Sequence, residues 1–198
     1  MSKKLRRGVK LYIAPDILGW MDDHDEPVVK DERNNTYLDP RNIDDKIIIY
    51  ERQVKDWFLA PATKCTKTWN NGFIIMMICM SYLEGVEQYK SGQSSNNNSR
   101  EFFKRSIHRL YPNKYDDNHL DELYSEARCG LFHDGMVRGK IIYNYSFQEP
   151  LEFGDYDTIK LNPKKLLEDI KSDFKAFIES LKSDPGSRAK FDRMYSNL

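Results

Sequence analysis

Arg128 and His133 stand five positions apart in the stretch Glu122-Leu-Tyr-Ser-Glu-Ala-Arg-Cys-Gly-Leu-Phe-His-Asp-Gly135, and residue types of this kind can cut RNA without a metal. A guanidinium stays charged in any protein and offers a planar fork of donors that suits phosphate. An imidazole gives or takes a proton near neutral pH. The imidazole would move the protons while the guanidinium holds the charge that develops on the phosphorus oxygens. The spacing sets a condition. On an ideal helix five residues rotate by about 140°, so the two side chains do not share a face. Either the helix loosens at Gly130, or the two groups meet through a second copy of the chain. Gly130 weakens a helix interior, and Gly135 sits where a C-terminal stop belongs.

A second group of residues could hold a phosphate backbone. Arg100, Lys104 and His108 recur at i, i+4 and i+8, with Arg105 and Arg109 beside them. Five basic-capable groups on one short helix make a phosphate-binding surface, weighed against an ordinary solvated charged face. Other chemistries find less support. Cys129 and His133 lie at i, i+4, but no second Cys/His pair completes a zinc site. Asp22-Asp-His-Asp-Glu26 reads as a solvated acidic loop, because consecutive side chains point in different directions. The glycines form no phosphate loop. Cys129, beside Leu131 and Phe132, reads as a small buried side chain rather than a nucleophile. No metal and no cofactor are expected.

The charged residues, 31% of the chain, balance to zero, so any RNA site must be a local patch. Cys65, Cys79 and Cys129 have no Cys-x-x-Cys spacing and suit free thiols in a reducing compartment. No apolar run follows the basic N-terminus, so no secretory leader is expected. The longest apolar run, Phe73 to Met80, is too short to span a bilayer. The expected setting is cytoplasmic, with no membrane contact.

The elements that must position these residues follow from periodicity. Val9–Ile13 suits a strand and Ile17–Met21 a short helical turn or docking segment. Asp39-Pro40 signals a helix start, followed by an apolar stripe of Ile43, Ile47, Tyr50, Val54 and Trp57 that Pro61 should end. A second helix runs from about Thr68 to Lys90, apolar nearly all round in its first half, as befits the centre of a bundle or an interface. A polar loop, 91–99, precedes a third helix from Ser99 to Tyr111, with Phe103, Ile107 and Leu110 inward. The fourth helix starts near Asn118, buries Leu120, Leu123, Ala127 and Leu131, and puts Tyr124 and Arg128 on a neighbouring face. Ile141–Gln148 alternates as a strand, with Leu151–Phe153 and Thr158–Leu161 as partners. Asn162-Pro163 opens a last helix with Leu166, Ile170, Phe177 and Leu181 inward.

This order of elements resembles the HEPN superfamily, whose small helical domains often carry an Arg and a His separated by four to six residues. Ala127-Arg-Cys-Gly-Leu-Phe-His-Asp-Gly135 is similar to a set of bacterial HEPN proteins of loosely assigned function. The resemblance spans roughly residues 43 to 182. It implies a mostly α fold, an antiparallel helical bundle with a small β-hairpin insertion before the last helix. It also implies metal-independent endoribonuclease activity at a dimer interface, of toxin or antiviral type, with Arg128 and His133 catalytic. The residue after the Arg is commonly polar in active members, and here it is Cys129. The expected domain is 39–183, with a partly irregular N-terminal extension (1–38) and a loose C-terminal tail (184–198). Expected partners are single-stranded RNA, a second copy of the chain, and an antitoxin or regulatory protein. The alternative from another class is a non-catalytic module that dimerises or binds a nucleotide or partner protein.

Overall fold

A computed structural model describes residues 5–154 and 158–196. Residues 1–4, which begin the expected N-terminal extension, lie outside the described residues, as do 155–157 and the end of the expected tail, 197–198. The first surprise is how much of the chain before residue 39 is β. Strands β1 (Leu11–Ala14), β2 (Ile17–Met21), β3 (Pro27–Asp31) and β4 (Thr36–Leu38) form an antiparallel meander in the order β1-β2-β3-β4. The helical turn expected at Ile17–Met21 is therefore a strand. Gly19 hides its alternation: a Cβ there would meet the Leu5 side chain at 2.7 Å and Ile13 at 3.1 Å. The turns use residues that tolerate a left-handed backbone, Asp16 (φ 57°), Asp25 (φ 60°) and Asn35 (φ 52°).

The sheet is fastened to the first helix, α1 (Ile43–Val54). Ala14, Ile17 and Val29 bury against Ile49. Asp31, 1% exposed, accepts two hydrogen bonds from Arg52 at 2.5 and 2.8 Å. Burial works to raise the Asp31 carboxyl, but Arg52 and Asn34 outweigh it and hold it below the usual carboxylate range.

Asn42, rather than Asp39, caps α1, its side chain accepting from the Asp44 amide. Pro61 does not end the helix either. The chain widens into a π turn over Lys55–Leu59, with the Ala60 amide bonding back to the Lys55 carbonyl, and continues as α2 (Ala60–Cys65). A wider turn makes room for the proline ring and its missing donor, which a regular helix would not.

Helix α3 (Gly72–Ser91) is the central element and packs on α4 (Ser99–Leu110), α6 (Pro163–Ser183), α7 (Pro185–Ser196) and α2. Met76, Cys79, Met80 and Leu83 are fully buried along it. Burial also pushes the Cys79 thiol pKa up, which keeps it protonated and unreactive. Gly92 ends the helix in a left-handed conformation (φ 69°) against the Lys190 backbone.

Strands β5 (Ile141–Tyr143), β6 (Leu151–Gly154) and β7 (Thr158–Leu161) form a second sheet in the order β5-β7-β6, parallel between β5 and β7. The alternation read through Gln148 stops at Tyr143, because Asn144 turns the chain by accepting from Ser146. Asn162, 1% exposed, donates to the carbonyls of Tyr145 and Phe147 and caps α6 with its oxygen. The residues after Pro185 are not loose where described. They form α7 and bury Phe191 and Met194.

The fold class is thus mixed α/β, with two sheets, and not a helical bundle with one hairpin. Among the described residues no helix is long and apolar enough to cross a membrane.

Candidate functional site

The helix that carries the Arg/His pair begins regularly as α5 (Asp117–Leu123), capped by Asp116. From Tyr124 to Asp134 it widens into a π-helix, closed by Gly135 at φ 75°. Bonding from i to i+5 puts more residues into each turn, so the rotation between residues five apart falls well below the 140° of an α-helix. The loosening expected at Gly130 is there, and it starts six residues earlier. Gly130 has a different task. A Cβ on it would meet the Met136 carbonyl at 2.6 Å and the Val137 Cα at 3.2 Å. Only a bare Cα lets the chain double back after Gly135, where the Arg138 amide reaches the Glu126 carbonyl at 3.0 Å. Gly130→Ala is accordingly expected to destabilise the fold by about 1–3 kcal/mol, because the obstruction is backbone. Chemical denaturation of the variant checks this.

Arg128 leaves this helix toward α3. Its Nη2 donates to Glu84 at 2.9 Å, and Glu84 is held from the other side by the Ser95 hydroxyl at 3.1 Å. The guanidinium lies 5.4 Å from the Tyr124 ring centroid and 5.2 Å from that of Phe132. The i, i+4 relation of Tyr124 and Arg128 is thus a real contact. Arg128 Nε and Nη1 make no hydrogen bond among the described residues and are not shut away from solvent. His133 is exposed at the end of the same helix.

One residue of the basic helix joins Arg128. Arg100 of α4 places its guanidinium 5.2 Å from the same Tyr124 ring, with Asp121 at 3.8 Å. Tyr124 itself packs on Phe103 and is buried, and burial raises its pKa, so it stays a neutral phenol between two cations.

The remaining basic residues are engaged by carboxylates, most of them from neighbouring helices. Lys104 is buried, with Glu101 at 2.9 Å, Asp121 at 3.3 Å and Asp117 at 3.5 Å. His108 meets Asp117 at 2.8 Å, and that contact holds the Asp117 carboxyl below its usual range. Arg105 stacks 4.1 Å over Phe102, with Glu87 at 3.9 Å. Arg109 reaches Glu87, Ser106 and Asp173. Asp173 also takes Lys90 and Tyr82. Burial would raise the Asp173 carboxyl, but Lys90 and Arg109 outweigh it and hold it low. The stripe is therefore split: Arg100 turns toward the Arg128 centre, while Lys104, Arg105, His108 and Arg109 tie α4 to α3, α5 and α6.

Among the described residues no group of three His, Cys, Asp or Glu lies together in a form that could hold a metal. The acidic 22–26 segment is the β2–β3 turn: Asp22 accepts from the amides of His24 and Glu26, Asp25 pairs with Arg7, and Glu26 with Arg41. Cys129 is half-buried and packs against the main core.

The sequence pattern missed Glu84, Ser95, Asp121 and Phe132, the groups that fix both guanidinium ions. Three of them come from other elements, where no local spacing reveals them. No protein-family model, curated protein or solved structure matches this chain.

Proposed function

We propose that Arg128, Arg100 and His133 form a metal-independent RNA-cleaving centre, completed by a second copy of the chain. The observation that carries the reading is the π-helical stretch between Arg128 and His133, whose wider turn reduces the rotation between two positions five apart. The two cations on Tyr124 add to it, because Arg128 keeps two donor nitrogens free for a phosphate. In this reading His133 draws the proton from a ribose 2′-hydroxyl and that oxygen attacks the adjacent phosphorus. Arg128 and Arg100 neutralise the equatorial oxygens. The bond to the 5′-oxygen breaks, and the partner copy's imidazole returns a proton to it. The products are a cyclic phosphate and a 5′-hydroxyl. The likeness of Ala127–Gly135 to HEPN proteins points the same way.

A second copy is supported by apolar side chains exposed on α3, the helix that Arg128 reaches through Glu84. Ile74 and Met77 on the outer face of α3 are 50% and 38% exposed, with Trp57 and Phe58 exposed on the π turn. The widened Arg/His helix removes the rotational argument for a dimer, so this face now carries it alone.

An RNA oligomer cut by the purified chain should end in a cyclic phosphate, and the all-deoxy oligomer should stay whole. Ile74→Asp combined with Met77→Asp should give a monomer by light scattering and lose cutting. A monomeric variant with full activity would remove the partner from the mechanism. The neutralised part of α4 favours a second reading, a non-catalytic module in which the Arg128–Glu84 pair only braces α3. A chain that dimerises but leaves every RNA intact would favour it.

A further inference from the structure

We propose that the groove between the π turn and α6 binds a single-tailed amphiphilic carboxylate, a fatty-acid-like anion, one per chain. The groove encloses about 560 Å³, within the roughly 300–1,000 Å³ of small-molecule sites. Its floor is apolar, made by Leu59, Phe174 and Ile178, all buried. Its rim is cationic. Lys55 and Lys64 stand on one wall and Lys171 and Lys175 on the other, all four exposed.

Many lysines elsewhere in the chain are already paired. Lys90, Lys104, Lys114, Lys160 and Lys182 each hold a carboxylate. The four rim lysines have no carboxylate partner among the described residues. Two glutamates share the lining, and one of them, Glu179, is already taken by Lys182 at 2.7 Å. Four ammonium groups in excess over the one remaining lining carboxylate, Glu51, above an apolar floor match a carboxylate head on an alkyl tail. A protein partner would spread over roughly 800 Å² on its own side. The floor here is three side chains, enough for one chain of methylenes. None of these residues takes part in the Arg128 centre, so the two sites stand or fall separately.

Isothermal calorimetry with dodecanoate, kept below its micelle concentration, tests the assignment on the full chain. Saturable binding at one per chain is expected, with dodecanol at least about tenfold weaker and dodecyltrimethylammonium not bound. Lys171→Glu with Lys175→Glu should cut dodecanoate affinity at least about tenfold, through charge alone. Ala60→Leu should do so by filling the groove from its accessible wall, at an unchanged thermal midpoint. Absence of dodecanoate binding would overturn the proposal. So would binding that both variants retain, or capture of an acidic amphipathic peptide or of phosphatidylglycerol vesicles by a chain that ignores dodecanoate.

Discussion

Arg128→Ala is expected to slow RNA cleavage by about 10²–10³-fold, the usual cost of losing one preorganised donor to a developing oxyanion. Arg128→Lys should recover little of that. An ammonium has three donors, but all on one nitrogen, so it cannot stay on Glu84 and also hold a phosphate from separate nitrogens of one plane as the guanidinium can. Because Arg128 is also the partner of a largely buried Glu84, the loss has a structural component that must be separated. Glu84→Gln does this. It preserves an oxygen for Nη2 and should leave folding intact, while a guanidinium no longer neutralised by a carboxylate should bind RNA at least as well. Single-turnover rates beside thermal midpoints for the three variants would resolve chemistry from support. Equal rates for wild type and Arg128→Ala would take Arg128 out of the site.

Asp31→Ala should be the most damaging single change to stability, about 3–5 kcal/mol. It leaves the Arg52 guanidinium, 9% exposed, without its two-pronged carboxylate at the junction of the meander and α1. Replacing both residues, Asp31→Leu with Arg52→Met, should cost much less, because no buried charge is then left unpaired. Denaturant unfolding of the two variants measures the difference. A loss below about 1 kcal/mol for Asp31→Ala would mean that the meander is not an integral part of the fold.

The parts that were legible in the sequence are those written in local hydrogen bonds. Asn162-Pro163 opens α6 as its spacing predicts, and Gly135 closes the Arg/His helix with the left-handed backbone that glycine allows. Tyr124 and Arg128 meet as i, i+4 neighbours do, even though both lie in the widened stretch. What stayed hidden depends on partners distant in sequence. Pro61 reads as a stop only if the turn before it is regular, and a π turn there changes the outcome. The meander is masked by short strands and by Gly19, whose side of the sheet is filled by Leu5 and Ile13 instead of its own side chain. The basic stripe of α4 was visible, but the carboxylates that occupy most of it come from α3, α5 and α6. Only Arg100 was left to turn toward the Arg/His centre, and no one-dimensional pattern distinguishes it from Lys104.

The most direct test compares wild type and His133→Ala on single-stranded RNA in excess EDTA. His133 is exposed at a helix end, so its removal should leave the fold and the oligomeric state unchanged. Wild type should cut, leaving cyclic phosphate ends, and His133→Ala should be slower by about 10²–10⁴-fold, the contribution of a positioned general base. Equal digestion by the two proteins, or cutting only after a divalent metal is restored, would contradict the account.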